Sequence, residues 1–309
     1  MHNKKLLILK SNTNDFEQFF LDGMNNGMAD ALPMYNKFAY IFSLFFKIHM
    51  HIPFDLLKLK SCWYGRWKKD ITKYEAVIVF DSFECISIVN DIHRYNPQCR
   101  IILWYWNPIK KAWRVLTPEI RKFAEGWSFD LSDCTRYNLN KNTQFFIPSK
   151  HSCDGLKTDF VFIGLDKGRS KLLSQLYQEI TCRNLSADFT ILTDKTTSPG
   201  GSFSYITEPL PYSLVQKKVL ESRCVVEVTQ ECQSGMTLRT LEALFYGKKL
   251  LTTNTEIVKE PFYNRSNIYI WGVDSLDALP EFVNSPYIDI PQEIVDQYSY
   301  PQWLANFNL

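Results

Sequence analysis

The chain has 309 residues, of which 45% are hydrophobic and 15% aromatic, with 12 glycines and a net charge of +2. This composition excludes disordered, collagen-like and disulfide-stapled proteins, and the length favours two domains. The charge is uneven, because residues 1–150 carry +7 and the remainder −5. A basic first half fits a phospholipid surface, a pyrophosphate-linked molecule or nucleic acid, although an ordinary solvated face explains it equally well.

The eight cysteines are scattered, with no CxxC pair and no His at zinc-ligand spacing, which predicts the reduced thiols of a cytoplasmic protein. The apolar run near the first residue is too short for a signal peptide. No run reaches the roughly 20 apolar residues of a membrane span. The longest candidate, residues 38–46, lies between Lys37 and Lys47 and predicts either a buried or an interfacial helix.

Strand and helix patterns alternate along the chain, which is typical of βα units around parallel sheets. In the first half we expect strands at residues 5–10, 76–80, 100–104 and near 127–129, and helices at residues 84–95 and 116–124. A polar stretch with turn-forming residues, 138–155, predicts a linker. In the second half we expect strands at residues 159–164, 189–193, 224–229, 249–253 and 267–271, and helices at 169–182, 212–222, 236–245 and 275–283. The predicted fold class is therefore α/β, with two Rossmann-like lobes.

The sequence DFVFIGLDKGRSKLL predicts a strand that ends at Gly164 and is followed within a few residues by a helix. Backbone N–H groups at a helix start carry partial positive charge, and Lys167 and Arg169 add two full charges beside Gly168. The motif matches neither a Walker loop nor a dinucleotide fingerprint. It predicts a phosphate site, and the alternative is an ordinary βα turn with solvated charges.

A second polar cluster lies in QECQSGMTLRTLEALFYGKKLLTTN, where a strand leads through a loop into a helix. Thr237 is placed to cap that helix or to donate to a phosphate. Arg239 and Glu242 are three residues apart and so share one helix face, which also fits a structural ion pair. The candidate site residues of this segment are Gln233, Ser234, Gly235, Thr237, Arg239 and Glu242.

In order and spacing, FIGLDKGR, QSGMTLRTLE and GKKLLTTN together resemble the donor-binding lobe of GT-B glycosyltransferases, particularly those of bacterial capsule and lipopolysaccharide gene clusters. The resemblance covers residues 159–283 well and the first half in outline. It implies two Rossmann-like lobes facing across a cleft. Residues 1–150 would bind the acceptor, residues 151–290 the nucleotide-sugar donor, and the tail 291–309 would pack back on the first lobe.

The resemblance also implies roles for single residues. Glu242 would hold the nucleotide ribose, and the diphosphate would be held by Lys167, Arg169, Gly235, Thr237 and Arg239. Many retaining enzymes of this type have a second carboxylate where this chain has Ser234, so retention and inversion both stay open. No cofactor is expected, since the nucleotide-sugar is a substrate, and positive side chains would replace a metal at the diphosphate. The chain has no DxD motif.

Asp81 and Asp130 each follow a predicted strand, and carboxyl ends of parallel strands border the ligand site in open α/β sheets. Either is a candidate base for the acceptor hydroxyl, with Asp81 preferred, and either would also serve as an ordinary loop cap.

Basic and aromatic residues interleave at Trp63, Arg66, Trp67, Lys68 and Lys69. Such a surface suits stacking on nucleic acid or contact with anionic lipid, and the preceding apolar run favours the membrane. We therefore expect no nucleic-acid partner.

The predicted function is sugar transfer to a glycan or lipid-linked acceptor, with peripheral contact at the inner face of the cytoplasmic membrane. The alternatives are a nucleotide-sugar epimerase of the same fold or a non-catalytic partner of another transferase.

Overall fold

The computed structural model describes residues 5–51, 59–82, 84–109, 115–149, 155–197, 203–229 and 235–309. The chain divides into two compact units, the first formed by Met1–Asn142 with Leu304–Leu309 and the second by Thr143–Trp303. Each unit contains a six-stranded sheet whose strands are paired in parallel. The predicted α/β class with two Rossmann-like lobes is confirmed.

The sheet of the first unit has the strand order β2-β1-β3-β4-β5-β6. Its strands are β1 Leu6–Lys10, β2 Asp30–Pro33, β3 Ala76–Phe80, β4 Arg100–Tyr105, β5 Ala124–Ser128 and β6 Asn140–Lys141. Its helices are α1 Asp15–Met24, α2 Lys37–Ile41, α3 Ser43–His51, α4 Cys85–Tyr95 and α5 Leu131–Tyr137. Strands β1 and β3 are buried along their whole length, as their continuous apolar sequences require in a parallel sheet.

The helix predicted at residues 116–124 is wrong. Only a short 3-10 turn, Ile120–Lys122, occurs there, and the chain then enters β5. Ala124 is already paired with Ile101 of β4, and sheet pairing outweighs the local helix signal.

The sheet of the second unit has the order β12-β11-β10-β7-β8-β9. Its strands are β7 Thr158–Leu165, β8 Ala187–Leu192, β9 Ser204–Ile206, β10 Ser222–Glu227, β11 Lys249–Thr252 and β12 Ile268–Ile270. Its helices are α6 Ser170–Thr181, α7 Tyr212–Leu220, α8 Leu238–Phe245, α9 Leu279–Asn284, α10 Gln292–Asp296 and α11 Tyr300–Ala305. Phe160, Phe189 and Val226 belong to one buried cluster between this sheet and its helices.

The strand orders locate the point in each sheet where the chain reverses its direction of winding. In the first unit this point lies between β1 and β3, and in the second between β7 and β10. Ligands of open α/β sheets bind outside the carboxyl ends of the strands at this switch point. The residues that follow these four strands are therefore the first to consider as site residues.

The boundary between the units falls between Asn142 and Thr143, within the stretch predicted as a linker. Residues 291–303 belong to the second unit, whereas Leu304–Leu309 belongs to the first. Within the described ranges, no helix is both long enough and apolar enough to cross a membrane.

Candidate functional site

The turn between β7 and α6 joins a strand end to a helix start, as the sequence predicts. Lys167 and Gly168 have φ values of 53° and 78°, so two successive residues are left-handed, a conformation that favours glycine. The buried Asp166 carboxylate accepts hydrogen bonds from the Arg169 backbone N–H at 2.9 Å and from the Ser170 hydroxyl. These bonds fix the turn and place the start of α6 beside the switch point.

Arg169 connects the two strands that border the switch point. Its guanidinium donates to the backbone carbonyls of Leu165, the last residue of β7, and of Asp166, which follows it. It also donates to the carbonyl of Val228, which follows β10. It also lies 5.4 Å from the centre of the Phe162 ring. Burial lowers the pKa of Arg169, and the neighbouring carboxylates oppose that effect. A diphosphate at this point would meet a cation that is already fixed in place by backbone carbonyls.

Gly164 and Lys167 complete this part of the site. A Cβ atom on Gly164 would lie 3.2 Å from the Phe162 ring and 3.6 Å from Arg169 Nη2, so glycine leaves room for the guanidinium along the strand end. The Lys167 side chain is exposed, and its backbone N–H donates to Asp194 at 2.8 Å. Gly168 is exposed as well. An exposed cation and a fixed one therefore border the same turn.

The start of α8 lies on the other side of the switch point. Thr237 caps this helix by accepting from the Arg239 N–H at 3.1 Å, and its hydroxyl donates to Glu227. Glu227 ends β10, is 2% exposed, and also accepts from the hydroxyls of Thr240, at 2.7 Å, and Thr252. The sequence analysis missed Glu227. Its signal was a carboxylate at the end of an otherwise apolar strand.

Arg239 and Glu242 form an ion pair on one face of α8, as their spacing predicts. The Glu242 side chain is fully buried, and its other oxygen accepts from the Tyr212 hydroxyl at 2.8 Å. Burial works against the Arg239 charge, but Glu242 and Tyr212 outweigh it and raise the pKa of Arg239. Both Glu242 oxygens thus have partners within the chain. Ribose binding by Glu242 stays a prediction.

The remaining residues predicted for the donor site are Gln233, Ser234 and Gly235. Gly235 is half-buried and comes two residues before the cap. Gln233 and Ser234 lie outside the described residues.

In the first unit, a charged cluster lies at the switch point between β1 and β3. Lys10 ends β1, is 5% exposed, and has its ammonium 4.0 Å from Glu17 and 5.4 Å from the centre of the Trp106 ring. Asp81 follows β3, and its carboxylate accepts a hydrogen bond from the backbone N–H of Trp106 at 2.7 Å. Burial lowers the pKa of Lys10 below its usual value, although the charges of Glu17 and Asp81 act in the opposite direction. The sequence analysis found Asp81 but missed Lys10, because strand order is needed to bring the two together.

Asp130 has a different environment. It is 2% exposed and caps α5, accepting from the Asp133 N–H at 3.1 Å. Asp133 in turn accepts from the Ile109 N–H at 2.7 Å, and burial raises the pKa of Asp133. The structure thus gives Asp130 the role of a helix cap and gives Asp81 the position at the switch point.

The predicted basic and aromatic surface is only partly exposed. Arg66 and Lys69 are exposed, whereas Lys68 is half-buried above the Tyr95 ring. Trp63 is half-buried and donates to His49 at 2.8 Å. Trp67 is not a surface residue: it is 0% exposed and donates to the Met34 carbonyl at 2.8 Å inside the unit. An indole with its N–H paired in this way packs in the core.

Three solved structures resemble this chain over nearly its whole length. A lipopolysaccharide outer core galactosyltransferase, WaaB in its apo form, is 11% identical with a TM-score of 0.53, and the match covers 99% of this chain and 98% of that one. AviGT4, a glycosyltransferase involved in avilamycin A biosynthesis, is 9% identical with a TM-score of 0.52, over 99% and 96%. An apo structure of OtsA is 9% identical with a TM-score of 0.52, over 99% and 98%.

The chain has the GT-B fold. Identities this low establish the fold alone, so any assignment of substrates depends on the site residues. No protein-family model matches the sequence, and no curated protein matches it. Among the residues that the structure describes, no group of three or more His, Cys, Asp or Glu side chains is arranged to hold a metal ion.

Proposed function

We propose that this protein is a glycosyltransferase that moves a sugar from a nucleotide-sugar to a glycan or lipid-linked acceptor in bacterial surface polysaccharide synthesis. The observation that supports this most is the pair of helix starts at the β7–β10 switch point of a GT-B fold. The turn before α6 and the capped start of α8 both border the position where an open α/β sheet binds its ligand.

Leaving-group chemistry explains the residues at these helix starts. Breaking the glycosidic bond leaves negative charge on the nucleoside diphosphate, and fixed dipoles and cations stabilise that charge without a metal. The exposed side chain of Lys167 would contact the diphosphate, with Arg169 and Arg239 adding positive charge. Glu242 would accept a hydrogen bond from a ribose hydroxyl.

The acceptor would bind at the switch point of the first unit. Asp81 would take the proton of the acceptor hydroxyl as the hydroxyl attacks the anomeric carbon. The buried ammonium of Lys10 interacts with the charge of Asp81 at this switch point. We prefer Asp81 over Asp130, because the Asp130 carboxylate is buried as a helix cap.

Calorimetry with UDP, GDP, ADP, dTDP and CMP, with and without magnesium, tests the donor site. We expect one nucleotide to bind without metal, and Lys167→Gln to weaken that binding by about ten-fold, since a cation at a phosphate is worth on the order of 1 kcal/mol or more. Lys171→Gln is the matched control, because Lys171 is an exposed lysine of α6 one turn further along. Lys167 is a better probe than Arg239, whose removal would leave Glu242 buried without its counter-charge.

Two results would contradict the proposal. If no nucleotide binds the intact protein, the chain is better explained as a non-catalytic partner. If a bound nucleotide-sugar is converted to its epimer with no acceptor present, the epimerase alternative is correct. If the Lys167→Gln variant binds the nucleotide as tightly as the intact protein does, the turn between β7 and α6 is not part of the donor site.

A further inference from the structure

Helices α2 and α3 expose an unusual amount of apolar surface. Thirteen large hydrophobic side chains are exposed among the described residues, and six of them lie within eleven consecutive positions. They are Phe38 (53% exposed), Ile41 (65%), Phe42 (50%), Leu44 (67%), Phe45 (67%) and Ile48 (55%), here called the apolar face. Exposed hydrophobic residues are ordinarily scattered singly, and a contiguous group marks an interaction surface.

The two helices form an almost continuous segment. The N–H of Phe42 donates to the Phe38 carbonyl and that of Phe46 to the Phe42 carbonyl, both at 2.9 Å. The opposite side is buried, with Ala39 at 1% and Phe46 at 6% exposure, and Phe46 packs on Tyr35 at a ring distance of 4.8 Å. The unit therefore covers one side of this segment and leaves the apolar face uncovered.

Positively charged residues are concentrated in the part of the sequence that carries the apolar face. Residues 37–73 contain eight Lys and Arg against two Asp, a net charge of +6. Lys37 and Lys47 on the helices themselves are exposed, as are Arg66 and Lys69. The turn just before these two residues, Leu59–Trp63, packs beside α3, where Trp63 lies 5.6 Å from the Phe46 ring. Apolar side chains with flanking cations are typical of helices that lie in a membrane interface.

We propose that the apolar face inserts into an anionic lipid bilayer, with α2 and α3 lying in the plane of the interface. The exposed cations Lys37, Lys47, Arg66 and Lys69 would then contact lipid headgroups. The charge favours a membrane over a second copy of the chain, because a symmetric dimer through this face would bring two +6 segments together. Anionic lipid neutralises the same charge and adds attraction for every Lys and Arg near the surface. This inference extends the predicted peripheral contact and does not require the transferase chemistry.

The test is co-sedimentation with vesicles made of equal parts phosphatidylcholine and phosphatidylglycerol, compared with phosphatidylcholine alone. The double variant Leu44→Ser/Phe45→Ser should lower the partition coefficient by at least about ten-fold, because two apolar side chains no longer enter the bilayer. Val273→Ser is the matched control, since Val273 is 66% exposed but isolated in the second unit. Arg66→Gln and Lys69→Gln should each lower binding by about five-fold, and high salt should weaken the intact protein similarly.

Nucleotide affinity, measured on the same samples, should be unchanged in all these variants, which separates lipid binding from the donor site. The inference is overturned if the intact protein does not sediment with anionic vesicles, or if Leu44→Ser/Phe45→Ser binds them as well as the intact protein does. It is equally overturned if the intact protein does not bind vesicles but forms a concentration-dependent dimer in sedimentation velocity that the Leu44→Ser/Phe45→Ser variant loses.

Discussion

Glu17 connects the start of α1 to the charged end of β1. Its carboxylate accepts from the Ser11 hydroxyl and the Thr13 N–H, each at 2.7 Å, and lies 4.0 Å from the Lys10 ammonium. Burial disfavours the charged carboxylate, but the hydrogen bonds from Thr13, the charge of Lys10 and the bond from Ser11 outweigh it. Together they lower the pKa of Glu17 below its usual 4.5. A depressed carboxyl pKa stabilises the fold above the unfolded-state pKa, and that stabilisation is lost as pH falls through the folded-state value.

We therefore expect Glu17→Gln to unfold more easily than the intact protein at pH 7, by about 1 kcal/mol. The difference should shrink as the pH falls below 4.5, because the intact protein then protonates Glu17 and loses the same interactions. Urea unfolding of the first unit at several pH values measures both quantities. Asp22→Asn removes an exposed carboxylate from the same helix, and its free energy of unfolding should depend on pH as that of the intact protein does. A constant difference between the Glu17→Gln variant and the intact protein at all pH values would contradict this account.

Helix α8 depends on Thr237 twice, as its cap and as a donor to the buried Glu227. We expect Thr237→Ala to reduce the free energy of unfolding of the second unit by about 1 to 2 kcal/mol, the usual cost of losing a cap. Thr237→Ser keeps the hydroxyl and should lose much less. Thermal unfolding of the three proteins measures the effect. Equal losses for the alanine and serine variants would assign the effect to the methyl group instead of the hydrogen bonds.

Elements with strong internal patterns were predictable from the sequence. The apolar strands β1, β3 and β7 and the amphipathic helices α6 and α8 lie within two residues of their predicted positions. The helix expected at residues 116–124 was wrong because its last residue, Ala124, already pairs with β4, which local periodicity does not reveal. Helix α1 and strand β2 were missed for a similar reason, since β2 is only four residues long and gains its stability from pairing with β1.

The candidate site was predictable where one segment carries it. Gly164 to Arg169 combine a strand end, a turn and the cap of a helix, whereas Thr237 to Glu242 form a capped helix start. The structure contains both helix starts. Lys10 and Glu227 were missed because their significance depends on strand order, which places β1 beside β3 and β7 beside β10. The charge of one residue on a short apolar strand does not reveal which strand lies beside it.

At the scale of the whole molecule, the final residues belong to the first unit although most of the chain before them belongs to the second. Phe307 is 0% exposed, and its ring lies 4.9 Å from Trp127 and 6.1 Å from Trp104. The Asn308 carbonyl accepts from Arg100 at 3.0 Å, and the Asn306 amide donates to Asn142 at 2.8 Å. The last six residues thus complete the core beside β4 and β5.

Phe307→Ala should therefore destabilise the first unit by about 3 to 5 kcal/mol, the usual cost of removing a buried phenylalanine ring. Hydrogen exchange distinguishes the units, because amides of β4 and β5 should exchange faster in the variant while those of β10 and β11 keep their protection. Gln302→Ala, at an exposed position of α11, is the control and should exchange like the intact protein. Equal acceleration in both sheets would mean that the ring stabilises the molecule as one cooperative unit. No acceleration in β4 and β5 would mean that the final residues contribute little to the core of the first unit.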